Sequence, residues 1–444
     1  MGRKREGRTL ELVYPDCAGI DVGKFKHYVA VNPERSDQPV RAFDSFTEDL
    51  EDMAEWLKAC DVDVVALEST GVYWMPVYEL LDRAGFEVHL VNPRATKQVS
   101  GRKSDVLDCQ WIRQLMSYGL LKGAFRPSDE TCVLRSYVRQ RARLTRDAAR
   151  AIQQIQKALT EMNVQLDSVI SDIMGKTGQA ILRAIVDGER DGHELAKLRD
   201  RRTKADEARI AKSLRGNWRE EHLFALSQAL QRWDWLQQQI QECEERIMKT
   251  LEALGDERVE DEPLAKPARS ARERALQHAL RKVLGVDLTA IPTIGVETTL
   301  ALASEVGPDL SRFPSMQHFT SWLTLAPGTQ ISGDKRLSKR GPKRLNRAGQ
   351  ALLVAASTAR RSDSFIGAAH RSRLARLDSA RAIKATAHQL ARLIYAMLTR
   401  GEAYVERGIA DFEEERRHRQ LRALQRNARR LGYALEKSDE KSAA

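Results

Sequence analysis

The segment VDVVALES, residues 62–69, constrains the fold more than any other short stretch of the chain. Its apolar residues follow one another almost without a break, whereas a strand with one face in water alternates apolar and polar residues. Such a run is typical of a strand buried on both faces, which requires a packed layer above and below the sheet. The sequence therefore predicts a central strand in a layered α/β domain.

The segments around this strand predict the rest of a sheet. Residues 17–31 and 40–46 have the pattern of three strands in a meander, with a tight turn near Gly23. Helical patterns then alternate with strands at 62–69 and 87–91. A meander followed by alternating helices and strands is the order of a ribonuclease H-like fold. Many nucleotidyl-transferring enzymes share this architecture, although a fold alone does not establish a function.

The next helix, in GRKSDVLDCQWIRQL (101–115), carries two acids on its apolar stripe. At about 100° per residue, Asp105 and Asp108 share a face with Ile112 and Met116. That face should be directed to the core, where carboxylates are rare. The pattern indicates that the side chains of Asp105 and Asp108 point inward and have a function there.

Two further acids end predicted strands: Asp21 follows the first apolar strand, and Glu68 ends the buried one. Neighbouring strands would place these side chains at one edge of the sheet, where Asp105 and Asp108 also project. Four convergent carboxylates repel one another unless a cation holds them, and their oxygen atoms suit Mg²⁺. A pair of ions about 4 Å apart can act on both reacting oxygens of a phosphoryl transfer. The alternative is that the helix acids stabilise its first turn and the strand-end acids face water.

A second concentration of reactive chemistry is the predicted loop LAPGTQISGDKRLSKRGPKRLNRAG, residues 325–349. Ser332 precedes a glycine there, and basic residues that can grip phosphate oxygens surround it. These residues are Lys335, Arg336, Lys339, Arg340, Lys343, Arg344 and Arg347. A serine hydroxyl in this setting is able to attack phosphorus. The alternative is that the loop only binds backbone phosphate and Ser332 is a turn residue.

From about residue 127 the sequence predicts long helices. Five arginines, at spacings of four, four, three and four residues, form a basic stripe that we expect to follow a nucleic-acid backbone. They are Arg135, Arg139, Arg143, Arg146 and Arg150. A second helix, 226–250, has a heptad seam of apolar residues, so the two arms are expected to form either an intramolecular antiparallel hairpin or a dimer seam. An exposed face that contacts only solvent is the alternative for the stripe.

The segment IPTIG, residues 291–295, resembles a helix-hairpin-helix turn, in which backbone N–H groups contact phosphate. Thr293 occupies a position where such turns often have a second glycine. A plain helix connection is an equally good interpretation.

The 444 residues carry a net charge of +11, which favours a polyanionic partner such as nucleic acid. No apolar run approaches the roughly 18 residues of a membrane-spanning helix, so no membrane partner is expected. The five cysteines are scattered and show no zinc-binding spacing, which predicts a reducing, cytoplasmic setting.

These patterns predict four parts of the chain. Residues 1–126 form the α/β domain with the four acids, and residues 127–268 form helical arms that end in an acidic, proline-containing linker. Residues 269–405 form a mostly helical domain with the IPTIG turn and the serine loop. Residues 406–444 form a charged helical tail with a disordered end.

Four segments carry a resemblance to a known family: GIDVGK, LESTGVYW, VNPRATKQVSGRKSDVLDCQWI and LTLAPGTQISGDKRLSKRGP. They resemble bacterial insertion-sequence transposases that join a DEDD RuvC-like domain to a C-terminal serine-bearing transposase domain, also called bridge-RNA-guided recombinases. The resemblance covers roughly residues 15–160 and 284–400, and the motifs follow in a consistent order.

The resemblance implies a function and a site. The four acidic positions of the family fall on Asp21, Glu68, Asp105 and Asp108, which would bind Mg²⁺, and its catalytic serine falls on Ser332. The serine would become linked to a DNA strand during cleavage and exchange of donor and target duplexes. The acids of one protomer would meet the serine of another in a dimer or tetramer. A structured noncoding guide RNA would pair with both DNAs, and the enzyme would work in the bacterial cytoplasm, at the nucleoid.

Two other functions fit parts of the pattern. A metal-dependent nuclease or junction resolvase would use water as its nucleophile and Ser332 only to bind phosphate. A non-catalytic nucleic-acid-binding protein would use the acids merely as helix-end and surface groups.

Overall fold

The computed structural model describes residues 11–68, 71–93, 105–259, 263–326, 330–332, 335–338 and 346–434. The chain divides into two compact units, Met1–Arg126 and Pro127–Ala444.

The first unit contains a five-stranded sheet. Its strands are β1 Cys17–Val22, β2 Lys26–Ala30, β3 Val40–Asp44, β4 Val64–Glu68 and β5 Glu87–Val91. Their order in the sheet is β3-β2-β1-β4-β5, with the first three antiparallel and with β4 and β5 parallel to β1. This confirms the predicted ribonuclease H-like fold class.

Helices cover both faces of this sheet, as the apolar run of β4 requires. They are α1 Thr47–Ala59, α2 Trp74–Arg83 and α3 Asp105–Ser117. On one face, Ile20 and Leu67 of the central strands pack in a core with residues of α1 and α2. On the other face, Val64 and Ala66 pack with Ile112 and Met116 of α3.

The second unit is mainly helical. Its helices are α4 Asp129–Glu161, α5 Lys176–Val186, α6 Gly192–Lys197, α7 Glu207–Ser213, α8 Glu220–Leu254, α9 Ala271–Leu284, α10 Val296–Val306, α11 Met316–Trp322, α12 Arg347–Thr358, α13 Phe365–Leu374, α14 Ser379–Arg400 and α15 Glu402–Arg430. None of the helices in the described ranges is long and apolar enough to cross a membrane.

The two long helices α4 and α8 form an antiparallel hairpin within one chain. Ile155 near the end of α4 shares a core with Leu226 near the start of α8. Further along, Leu144 packs with Leu236, so the two helices run in opposite directions. Of the two arrangements that the heptad seam allowed, the structure forms the intramolecular hairpin.

The segment between the arms, which shows no clear pattern in the sequence, forms the short helices α5, α6 and α7. Ile181, Leu195 and Ile210, one from each helix, are fully buried in one core with Ile155 and Leu226 of the hairpin. These helices are therefore held by the end of the hairpin rather than by a core of their own.

In its described part, the predicted linker before α9 forms hydrogen bonds with the IPTIG turn. The Lys266 ammonium group donates hydrogen bonds to the carbonyl oxygens of Ile291 and Ile294, at 3.1 and 3.0 Å. Burial lowers the pKa of this amine. The linker therefore fastens the IPTIG turn.

Candidate active site

Asp21 and Glu68 lie at the carboxyl ends of the neighbouring parallel strands β1 and β4. Ile20 is opposite Leu67, so the next pair in the same register is Asp21 and Glu68. Ile20 and Leu67 belong to the core on the side of α1 and α2. Because successive residues of a strand point to opposite faces, both acids are on the face that α3 covers. Strands are about 4.8 Å apart, which makes these two half-buried acids direct neighbours.

Helix α3 crosses this face in direct contact with β1. A Cβ atom on Gly19 would lie 2.3 Å from the backbone nitrogen of Arg113 and 2.4 Å from the carbonyl oxygen of Cys109, so the close approach requires glycine. The Cys17 thiol donates to the carbonyl oxygen of Arg113 at 3.4 Å. Helix α3 therefore runs in the direction opposite to that of β1. The first residue of the helix, Asp105, lies toward the carboxyl end of β1.

The pKa of the Cys109 thiol is affected by the charges at this edge. Burial raises its pKa to about 12, and the negative charges of Asp21 and Asp108 contribute to the increase. Ile112 and Met116 of the same helix face are buried. The stripe predicted to face inward does face the sheet.

The structure therefore brings Asp21, Glu68 and the first turn of α3, with Asp108, to one edge of the sheet. The side chain of Asp105 lies outside the described part of the structure. Among the side chains that are described, no group of three or more carboxylate, histidine or cysteine ligands has metal-binding geometry. The metal geometry of the four acids stays a prediction.

Ser332 lies in a short β-hairpin, where the sequence predicted a loop. Strand β6, Gln330–Ser332, pairs antiparallel with β7, Lys335–Ser338, and Ser332 is opposite Lys335 at the turn. The side chains of this hairpin, including that of Arg336, are outside the description. Four of the predicted phosphate-binding residues lie wholly outside the described residues. They are Lys339, Arg340, Lys343 and Arg344.

One side chain ties together the two ends of the segment that contains this hairpin. The Asn346 amide donates to the carbonyl oxygen of Trp322 at 2.8 Å, across 24 residues of chain. The amide oxygen accepts from the backbone N–H of Gly349 at 2.7 Å and so caps α12. The serine segment thus leaves and re-enters the helical unit at one place.

The five arginines of the predicted stripe have different surroundings. Arg139 makes a two-pronged ion pair with the buried carboxylate of Glu305, at 2.8 and 2.7 Å. Arg135 donates to the carbonyl oxygens of Ser304 and Glu305, at 3.3 and 2.8 Å, at the end of α10. Contrary to the prediction of one continuous basic surface, these two arginines hold α10 against α4.

The remaining three arginines of the stripe, Arg143, Arg146 and Arg150, are exposed. Their role in binding nucleic acid stays a prediction.

Sequence reasoning missed Glu305, although a signal was present: it is the only charged residue in the final stretch TLALASEV of α10.

The IPTIG turn precedes α10, after a short 3-10 turn at Leu288–Ala290. Thr293 has a φ of +71°, a left-handed conformation that favours glycine. The position thus has the backbone that a glycine of such a turn would supply. Its hydroxyl oxygen is buried without a hydrogen-bond partner.

A five-stranded sheet in this order, with acids at the carboxyl edge beneath a helix, defines a ribonuclease H-like domain. A family model for the DEDD transposase domain of the IS110 group, described as a transposase, matches residues 18–164. A second model, described as a transposase of the IS116/IS110/IS902 family, matches residues 287–370. The chain belongs to the IS110 family of insertion-sequence transposases. A search of curated proteins finds no match to this chain.

Family membership makes the protein a DNA transposase or recombinase, and the DEDD domain indicates a divalent metal ion. The two matches contain all five predicted catalytic residues. Between them they leave residues 165–286 unmatched, a stretch that contains the helices α5 to α9.

Proposed function

We propose that this transposase cleaves and exchanges DNA strands through a covalent intermediate on Ser332, with Asp21, Glu68, Asp105 and Asp108 as ligands of Mg²⁺. The observation that supports this most directly is the register of β1 and β4. It makes Asp21 and Glu68 neighbours on the face where α3 begins.

The acids fit a hard cation because all four donors are carboxylates. When bound, Mg²⁺ would stabilise charge on the reacting oxygens of the phosphodiester. Three elements would supply the ligands: β1 and β4 carry Asp21 and Glu68, and Gly19 allows the close approach of α3, whose first turn carries Asp105 and Asp108.

In the proposed cleavage step, the Ser332 hydroxyl oxygen attacks phosphorus. A bond from that oxygen to phosphorus forms, and the bond from phosphorus to one sugar oxygen breaks. The serine proton passes to a carboxylate or to water, and the leaving sugar oxygen takes up a proton. Strand exchange reverses these changes, because a sugar hydroxyl from another strand attacks the phosphoserine ester and releases Ser332. Lys335 and the other basic residues of the segment would stabilise the charge that develops on phosphate.

Three further elements of the proposal follow the family resemblance. A structured noncoding guide RNA selects donor and target DNA. Two or four copies assemble so that the acids of one protomer meet Ser332 of another. The enzyme acts in the cytoplasm, at the nucleoid. The net charge of +11 and the exposed arginines of α4 suit a protein that contacts much phosphate backbone.

The test is a search for a protein–DNA adduct after incubation of the full chain with guide RNA, Mg²⁺ and DNA that carries the element ends. We expect Ser332→Ala to abolish the adduct and Asp21→Asn to reduce it by at least about a hundredfold, the range for lost electrostatic stabilisation. Ser338→Ala is the matched control, because it removes a hydroxyl from the other strand of the same hairpin.

The same assay decides between serine and water as nucleophile. A water-using nuclease would cut DNA after Ser332→Ala and stop cutting after Asp105→Ala. That pattern, or an adduct of normal yield in Ser332→Ala, would show that the serine assignment is wrong.

A further inference from the structure

The hairpin of α4 and α8 has two flanks with different surroundings. On one flank the short helix α5 is fastened by Arg183, which pairs with both oxygens of the Asp234 carboxylate at 2.8 and 2.7 Å. The other flank is an open groove with a volume of about 800 Å³. Its lining includes Gln154 and Lys157 of α4 and Phe224, Gln228 and Arg232 of α8.

Lys157 lines this groove, and further positive side chains continue along α4 beyond it. Arg143, Arg150 and Lys157 are seven residues apart, so they recur on the same helix face every two turns, with Arg146 beside them. All four are exposed, as is Arg232 across the groove. Ion pairs join Arg150 to Asp147 at 3.0 Å and Lys157 to Glu161 at 3.6 Å. Exposed pairs of this kind are weak, so a phosphate can replace the carboxylate at little cost.

Two exposed aromatic side chains belong to the same flank. Phe224, which lines the groove, is 64% exposed, and Trp235, three residues beyond Arg232 on the same helix face, is 55% exposed. The pair of Glu161 with His222 at 3.4 Å fixes the alignment of the two helices. This alignment puts Phe224 beyond Lys157.

Trp235 is level with Arg150 in the same alignment, which the contact of Arg141 with Glu244 at 3.9 Å supports further along the hairpin. Cations of α4 therefore lie between the levels of the two aromatic rings and beside them. The distance from Arg143 to the level of Phe224 is roughly 25 Å at the rise of an α-helix.

We propose that this flank binds a single-stranded stretch of nucleic acid, with bases stacked on Trp235 and Phe224 and phosphates on Arg143, Arg150 and Lys157. Stacking on protein rings requires bases that are not paired within a duplex, and cations spaced between the rings suit the intervening phosphates. The core of a protein–protein interface is instead depleted of charged residues. This proposal rests on the proposed function, because the bound strand would be an RNA or DNA strand that takes part in recombination.

The test measures the affinity of the full chain for fluorescent oligonucleotides of about 12 nucleotides, the length of a typical single-strand site. The probes are single-stranded RNA, single-stranded DNA of the same sequence, and the corresponding duplex. We expect Phe224→Ala and Trp235→Ala each to weaken single-strand binding by about fivefold or more, the lower end of the stacking range, with little change for the duplex. A stronger loss for RNA than for DNA would identify RNA as the ligand, and the reverse would identify a DNA strand.

Two controls accompany these variants. Trp235→Phe keeps a ring and should retain most of the affinity, and Phe46→Ala removes a ring that is 74% exposed in the first unit and should change nothing. Equal losses for single strands and duplex, or unchanged binding in the double alanine variant, would overturn the proposal. So would conversion to a smaller oligomer on size exclusion with binding unchanged, since the flank would then join two copies. Ser332→Ala leaves this flank intact, so oligonucleotide binding and adduct formation can fail independently.

Discussion

The two ends of the arginine stripe on α4 carry the same side chain at nearly the same helical spacing, in different surroundings. At the first end, Arg135 and Arg139 are directed to the buried carboxylate and the last carbonyl groups of α10. At the second end, Arg143, Arg146 and Arg150 are exposed. The first group stabilises the fold, and the second is available to a ligand.

Helical periodicity therefore shows which residues share a face but not what that face contacts. The deciding feature is Glu305, more than 160 residues away in sequence, whose side chain is only 9% exposed. A buried carboxylate needs a counter-charge, so the arginines nearest to it are committed to it.

The largest effect is expected from removing that carboxylate. Glu305→Ala would remove the buried carboxylate that pairs with Arg139 and lies 3.5 Å from the Arg135 guanidinium. Breaking a buried pair costs about 3–5 kcal/mol, and the partial exposure of Arg139 reduces this to about 2–3 kcal/mol of unfolding free energy. Chemical denaturation measures the loss. Glu297→Ala, which removes the 70% exposed partner of Arg141, is the control and should cost less than about 1 kcal/mol.

A smaller effect, on binding, is expected from the other end of the stripe. Replacing Arg143, Arg146 and Arg150 by glutamine should lower the slope of log affinity against log salt by about 2 for single strands, with unfolding free energy nearly unchanged. The control replaces Arg422, Arg426 and Arg430 by glutamine, which removes the same charge from exposed positions of α15. If both triple variants lower the slope equally, net charge rather than the stripe governs binding.

The smallest effect concerns the other end of α10. Thr293→Gly should raise the unfolding free energy by about 1 kcal/mol, because it removes a side chain from a left-handed residue and eliminates a buried unpaired hydroxyl. Thr293→Ala keeps the strained backbone and removes only the hydroxyl, which separates the two causes. A destabilised glycine variant would mean that the threonine side chain contributes to packing at this turn.

The sheet unit could be predicted well because strand order and alternation link each residue to a face. Once VDVVALES was assigned to a central strand, the placement of Asp21 and Glu68 at one edge followed from their positions at strand ends. The inward face of α3 followed in the same way from its 3.6-residue period.

The helical unit could be predicted less well because its contacts are distant in sequence. Helices of six or seven residues, such as α6 and α7, are too short to show a period, although Asp191 and Asp206 cap their first turns and were an unused signal. The hairpin of Ser332 was interpreted as a loop because strands of three and four residues show no alternation.

The clasp that Asn346 forms with Trp322 has an evolutionary consequence. Because the helical scaffold already fixes where the serine-bearing insert starts and stops, lengthening the insert adds little entropic penalty, about 0.6 kcal/mol for each doubling of a flexible loop. An insert of another length would thus change how far Ser332 extends while keeping the same helical base.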